Sequence, residues 1–210
     1  MKIKIIIERH AQSEGNAKKI VLGHTDLNLT EEGIMQAGIT AEHLSRERID
    51  AVYSSDLKRA YCSALPHADM RGLRVITRED LREINLGVWD GMALSDILSS
   101  YSEDFARRSH KSFVYPDGEG VREASARLKN AVLDIARSSS DGDTVLIVTH
   151  SVIIRAFWYD LLGGTAEDMN DVVRYMPNAA YAALEYEDGK LCPILYSASE
   201  HLPHTDVKPI

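Results

Sequence analysis

Cysteine is scarce in this chain of 210 residues: Cys62 and Cys192 stand far apart. Two such thiols build neither a disulfide framework nor a metal knuckle. They read as reduced, partly buried side chains. Long apolar runs are missing too. The start, MKIKIIIERH, is a short isoleucine-rich stretch broken by Glu8. It is too short for a membrane span and lacks the layout of a signal peptide, so cytoplasm is the default location and no membrane is expected as a partner. Basic clusters are also lacking. The 24 Lys and Arg residues are scattered, with no run longer than two, and the formal net charge is −8. An acidic chain without a basic face repels nucleic-acid phosphates, so nucleic acid is excluded as a partner and any anion site must be a local pocket. Metal-binding spacing of the HExxH type is absent. His201 and His204 flank Pro203 in a polar tail that reads as solvated, and no metal is expected.

What is present fits an ordinary globular domain. Apolar residues make up 44% of the chain and charged residues 27%, and the length suits one α/β domain over residues 1–210. Residues 2–7 read as a buried strand. Residues 30–46 read as a helix, with Thr30 as N-cap and Glu31 and Glu32 in its first turn, where the helix dipole favours negative charge. Short strands are expected at 51–54 and 75–77, and a helix at 56–70. Leu128, Val132 and Ile135 line one face of a helix over 124–137. TVLIVT at 144–149 suits a central strand covered on both faces. A helix over 152–162 stops at Gly163 and Gly164, and strands at 179–187 and 190–197 pair across Asp188-Gly189. The Gly- and Pro-bearing stretch 86–120 reads as an excursion that roofs a pocket. Strands alternating with helices predict a mostly parallel sheet with helices on both faces. Ligands of such sheets bind beyond the carboxyl ends of the strands.

Two histidines stand at that edge. The first strand ends in Glu8-Arg9-His10, and the strand at 144–149 runs into His150. If the two strands are neighbours, both imidazoles face one pocket. Arg9 adds a permanent cation with a planar fork suited to phosphate. Arg59, taken alone a solvated surface residue, follows the strand at 51–54 and could reach the same edge. Ser151 opens the next helix, where free N–H groups favour anions. Two arginines, two histidines and free amides make an anion pocket with a nucleophile in it.

The motifs are similar to those of the histidine phosphatase, or phosphoglycerate mutase-like, superfamily. Residues 9–16, RHAQSEGN, resemble its RHGxSxxN signature. GHTDLNLTEEG at 23–33 resembles G-x-x-D-x-x-L-T-x-x-G, and SSDLKRA at 54–60 resembles S-S-x-x-x-R-A. LREINLGVWDG at 81–91 resembles L-x-E-x-x-x-G-x-W-E-G, and Thr149-His150 resembles the late T-H-G. The resemblance implies a three-layer α/β/α sandwich with a mostly parallel central sheet. It implies His10 as the nucleophile, phosphorylated on a ring nitrogen, and Glu83 as proton donor to the leaving oxygen and then base for water. Arg9, Asn16, Arg59 and His150 would hold the phosphoryl oxygens, with Ser13 and Gly23 lining the same pocket. Neutral imidazole is a competent nucleophile near neutral pH, and fixed cations stabilise the transferring phosphoryl group. Glu83 needs a semi-buried place among apolar groups, which favours the protonated acid.

Ala11 stands where the family usually has glycine, and a positive φ there would be strained. Ser151-Val152 replaces glycines after the second histidine, with Val152 expected in the helix packing, and Asp90 replaces a glutamate. The implied activity is a cofactor-independent, histidine acid phosphatase-type phosphomonoesterase acting on a small phosphorylated metabolite. A phosphoglycerate mutase and a catalytically silent phosphate- or partner-binding protein stay open as alternatives. The 67 residues from Glu83 to His150 favour the compact phosphatase type. The leaving group and the oligomeric state, a homodimer included, stay open as well.

Overall fold

The computed structural model describes residues 1–203. The isoleucine-rich start forms β1 (Lys2–Arg9), followed by a short α1 (Glu14–Lys18) and by α2 (Glu31–His43). Next come β2 (Ala51–Ser55), α3 (Lys58–Asp69) and β3 (Val75–Arg78). Segment 86–120 holds two short helices, α4 (Leu94–Ser100) and α5 (Ser102–Arg107). Then follow α6 (Val121–Ser138), β4 (Thr144–Thr149) and α7 (Ser151–Leu161). The hairpin β5 (Tyr181–Glu187) and β6 (Lys190–Ala198) ends the sheet. Asp188 and Gly189 at its turn both have positive φ, as a two-residue hairpin loop demands.

The six strands lie in the order β3-β2-β4-β1-β5-β6. β3, β2, β4 and β1 run parallel, and β5 and β6 run antiparallel to their neighbours. One face of the sheet, with Ile3, Ile5, Ile7, Val145 and Ile147, packs against α6 and α7 through Leu128, Val132, Ile154 and Phe157. The other face, with Ile6, Val52, Leu146 and Val148, packs against Ala60, Ala64 and Ala68 of α3. The result is the three-layer α/β/α sandwich with a mostly parallel sheet that the sequence pattern implied.

Several local expectations are corrected. α1 was not foreseen: five residues are too few for a periodic signal, and its cue is the capping box made by Ser13 and Asn16. β5 begins at Tyr181 rather than at 179, because Ala179 has a φ of 58°. α6 starts earlier, at Val121, and α3 later, at Lys58; Asp56 instead pairs with Arg82. Cys62 is half-buried, but Cys192 is exposed on the edge strand. His201 is half-buried rather than fully solvated. Its ring stacks on His43 with centroids 4.4 Å apart, and its Nε2 lies 3.0 Å from Thr40 Oγ1. His204 lies outside the described residues. Arg59 is buried, at 1% exposure.

Gly33 shows why α2 begins with that residue near its start. A Cβ there would lie 2.0 Å from the Gln12 carbonyl oxygen, so only glycine lets the helix approach the loop after β1. Thr30 caps the same turn, accepting from Gly33 N–H at 3.0 Å.

Beneath the site, Glu8 of β1 and His67 of α3 are both fully buried, with Oε2 and Nε2 2.8 Å apart. Burial pushes the Glu8 carboxyl up, and His67 opposes that shift. Removing one partner of such a pair leaves the other without compensation. His67→Ala is therefore expected to lower unfolding free energy in urea by about 3–5 kcal/mol, and the double change Glu8→Leu, His67→Leu by much less.

Candidate active site

β1 and β4 are neighbours in the sheet, and Arg9 is level with Thr149. His10 still pairs with β4, its N–H donating to Thr149 O at 2.8 Å. His10 and His150 therefore leave the sheet side by side, with ring centroids 5.1 Å apart and planes at 60°. Above them opens a cavity of about 120 Å³. Arg9, His10, Ser13, Asn16, Arg59 and Glu83 all line it. His150 and Gly23 do not reach its wall. His150 is fully buried with its ring edge-on to that of His10, and Gly23 acts through its carbonyl, which accepts from Arg59 Nη2 at 2.7 Å.

The imidazole of His10 is oriented by its own chain. Nδ1 lies 2.7 Å from the Ala11 carbonyl oxygen. A carbonyl only accepts, so Nδ1 carries the proton and Nε2 keeps its lone pair. Burial, then Arg59 and Arg9, hold the His10 pKa well below the usual imidazole value. The same burial and cations, together with His10 itself, depress His150. Ala11 brings no strain: it is fully buried and is not among the residues of positive φ.

The two guanidinium groups are held mainly by carbonyls. Arg59 Nη1 donates to Thr25 O at 2.9 Å, besides its bond to Gly23. Arg9 Nη1 donates to Met176 O at 2.6 Å and to the Tyr175 hydroxyl, and its Cζ lies 4.8 Å from the Tyr175 ring centroid. Among the described residues, Arg9 Nε, Arg59 Nε and both ring nitrogens of His150 are buried without a hydrogen-bond partner. The two guanidinium N–H groups and the single N–H of a neutral His150 are thus buried donors left unpaired, which suits a bound anion that would take them up. Asn16 contributes in the same sense. Its Oδ1 accepts from Ser13 N–H and Oγ–H at 3.0 Å each and from Asn178 Nδ2 at 3.1 Å, which leaves its NH₂ as the end it offers the cavity.

Glu83 corrects an expectation. It is buried, but its carboxylate is met by polar groups rather than apolar ones. Ile84 N–H and Ile153 N–H donate to Oε1 at 2.9 Å each, and Val152 N–H donates to Oε2 at 3.0 Å. The start of α7 thus points its free amides at Glu83. Val152 packs against the core, as expected, and also lines the cavity.

Sequence reasoning missed three supporting residues. Asn178 Nδ2 donates to His10 O at 3.0 Å as well as to Asn16. Tyr175 walls the cavity beside Arg9. Asp90 accepts from the N–H groups of Gly23, His24 and Thr25 at 2.8, 2.9 and 2.8 Å, and so shapes the loop whose carbonyls hold Arg59. Asp90 had a signal in its family-like stretch. Asn178 and Tyr175 had none, being far from any motif. A Cβ at Gly23 would come within 2.9 Å of Ile84 O, so this loop packs against the Glu83 segment only with glycine there. Segment 86–120 also lines the cavity, with Leu86, Trp89, Phe105, Arg108 and Tyr115. Among the described residues no group of three or more His, Cys, Asp or Glu is placed to hold a metal, and no helix is long and apolar enough to cross a membrane.

A family model described as histidine phosphatase superfamily (branch 1) matches residues 5–196, and the chain belongs to that family. Phosphoserine phosphatase 1 of Hydrogenobacter thermophilus is 34% identical over 204 residues, 95% of this chain and 94% of that protein. Phosphoglycerate mutase-like protein 4 of Arabidopsis thaliana is 34% identical over 160 residues, 74% of this chain and 69% of that protein. Among solved structures, a mycobacterial glucosyl-3-phosphoglycerate phosphatase superposes with a TM-score of 0.84 at 26% identity, over 95% of this chain and 100% of that one.

Both histidines are depressed below 6.5 in the fold, so below that pH the unfolded chain binds protons that the native state refuses. Their contribution to stability is complete above about pH 6.5 and is lost as pH falls towards their folded values. Proton NMR titration is expected to show the His10 and His150 Cε1–H signals unmoved between about pH 8 and 6, where an ordinary histidine shifts.

Proposed function

We propose that this chain hydrolyses a small phosphomonoester through a phosphohistidine on Nε2 of His10. In the first step the Nε2 lone pair forms a bond to phosphorus, the bond from phosphorus to the leaving oxygen breaks, and the Glu83 carboxyl gives that oxygen its proton. In the second, Glu83 takes a proton from water, the water oxygen bonds to phosphorus, and the phosphorus–nitrogen bond breaks to release phosphate. Arg9, Arg59 and the Asn16 amide hold the phosphoryl oxygens from the cavity wall, and His150, next to His10, supplies a further donor to them. Ser13 keeps Asn16 turned so that its NH₂ faces inward.

The observation that carries this reading is the state of His10. Its Nδ1 is committed to Ala11 O, and burial with two neighbouring cations keeps the ring neutral, which leaves a nucleophilic Nε2 at a cavity rich in phosphate donors. Support for phosphatase over mutase comes from coverage: the chain spans 94% of the phosphoserine phosphatase and 100% of the glucosyl-3-phosphoglycerate phosphatase, against 69% of the mutase-like relative. A phosphoserine- or phosphoglycerate-type ester therefore heads the substrate panel.

Turnover of p-nitrophenyl phosphate, phosphoserine and glucosyl-3-phosphoglycerate is the test, read as inorganic phosphate released. His10→Ala is expected to abolish release from all three. Glu83→Gln is expected to slow the alkyl esters by about 10²–10⁴-fold. It should affect p-nitrophenyl phosphate far less, because p-nitrophenolate leaves without a proton. Full turnover by His10→Ala would refute the covalent step. Phosphate transfer to an added phosphoglycerate, with none released to water, would favour the mutase.

A further inference from the structure

Arg59, Ser63 and His67 of α3 recur every fourth residue, on one face of the helix, and all three are buried. Buried helix faces are ordinarily apolar, so three polar side chains in one stripe need partners. Arg59 finds the carbonyls of Gly23 and Thr25, and His67 faces Glu8 of β1. Ser63, midway, makes two bonds. Its Oγ–H donates to Arg59 O at 2.7 Å, and its oxygen accepts from Ala11 N–H at 2.9 Å.

The second bond matters because of what Ala11 does next. The Ala11 carbonyl receives Nδ1–H of His10 at 2.7 Å. Ala11 lies past the end of β1, where ladder hydrogen bonds no longer orient its N–H. A hydroxyl has one proton to give. With that proton directed to Arg59 O, a lone pair of Ser63 is turned to Ala11. A chain of contacts therefore runs from the Arg59 backbone through Ser63 to the Ala11 N–H, and, across the Cα of Ala11, from its carbonyl to the His10 imidazole.

We propose that Ser63 is a positioning residue: through Ala11 it holds His10 in its Nδ1–H form with Nε2 aimed into the cavity, and it keeps His10 in register with Arg59. The chain of contacts itself does not depend on turnover, but its consequence for rate rests on His10 being the nucleophile. Displacing a reacting group by about 1 Å costs on the order of 10²-fold in rate, so a small shift of Ala11 is enough to matter.

The test is Ser63→Ala and Ser63→Thr in the full chain, with long-range ¹H–¹⁵N spectra of labelled histidine assigned by loss of the signal in His10→Ala. Wild type is expected to show His10 as a single Nδ1–H tautomer, and Ser63→Ala a mixture. kcat on p-nitrophenyl phosphate should fall about 10-fold or more in Ser63→Ala, while the inhibition constant of inorganic phosphate stays within about twofold. Ser63→Thr, which restores the hydroxyl, should return both the tautomer and kcat towards wild type. Should Ser63→Ala fail to fold, Ser63→Cys, nearly isosteric with a weak acceptor, takes its place in the same measurements. A folded Ser63→Ala with wild-type tautomer and kcat, whatever its melting temperature, overturns the proposal and reduces Ser63 to a packing residue. A chain silent on every ester, in which Ser63→Ala still mixes the tautomers, defeats the phosphatase reading and leaves the positioning of His10 standing.

Discussion

The site depends on the register between β1 and β4. Arg9 lies level with Thr149, so the two strands deliver His10 and His150 to the same place at the carboxyl edge of the sheet. Side chains alternate between faces along a strand, so a slip of one residue would turn His10 away from the cavity and swing the isoleucines that pack on α6 and α7 to the α3 face, where their places do not fit. The register is held by burial on both faces: β4 is buried at every residue, and Ile3, Ile5, Ile6 and Ile7 of β1 are at or below 1% exposure. The core that stabilises the fold is thus the same set of contacts that aligns the histidines.

Above that edge, two guanidinium groups are gathered with Glu83, Asp26 and Asp90 nearby but no carboxylate bonded to either. Burial lowers the pKa of Arg59, and carbonyl dipoles, rather than a directly paired carboxylate, hold its guanidinium. Such an arrangement is costly when empty and favours an anion that completes it. The cost is spread over a second set of residues. Asp90 ties down three successive N–H groups of the loop that supplies those carbonyls, and Arg127 ties the carbonyls of Asp80, Arg82 and Glu83 to one guanidinium. The consequence is a hydrogen-bonded frame around the cavity, within which burial and the cations lower the pKa of both histidines.

Much of the fold was legible because its signals are local. TVLIVT has no polar residue inside it, and Asp188-Gly189 has the residue types a tight hairpin requires, so β4 and the β5–β6 hairpin follow from sequence almost residue for residue. Thr30 caps α2 through the side-chain oxygen that its residue type supplies. Signals failed where a partner is distant in sequence. Arg59 alone looks like a surface residue and is buried because the 23–25 loop folds over it. His201 looks like tail and stacks on His43. Glu83 was expected among apolar groups and instead receives the amides of the α7 start, nearly seventy residues on.

By itself, then, the order of apolar runs and turn residues determined a parallel α/β sheet with helices on both sides, and the motif residues determined that a phosphate-type chemistry was in play. Those are properties of short segments, which carry their own periodicity and capping groups. Tertiary structure decided which nitrogen of His10 holds the proton, that Ala11 sits without strain, that His150 is buried against His10 rather than on the wall, and that Asn178 bonds to His10 O and Ser63 to Ala11 N–H. Each of these depends on a hydrogen bond to, or a packing contact with, a group remote in sequence or on a backbone angle set by the fold, and no local pattern of residue types encodes them.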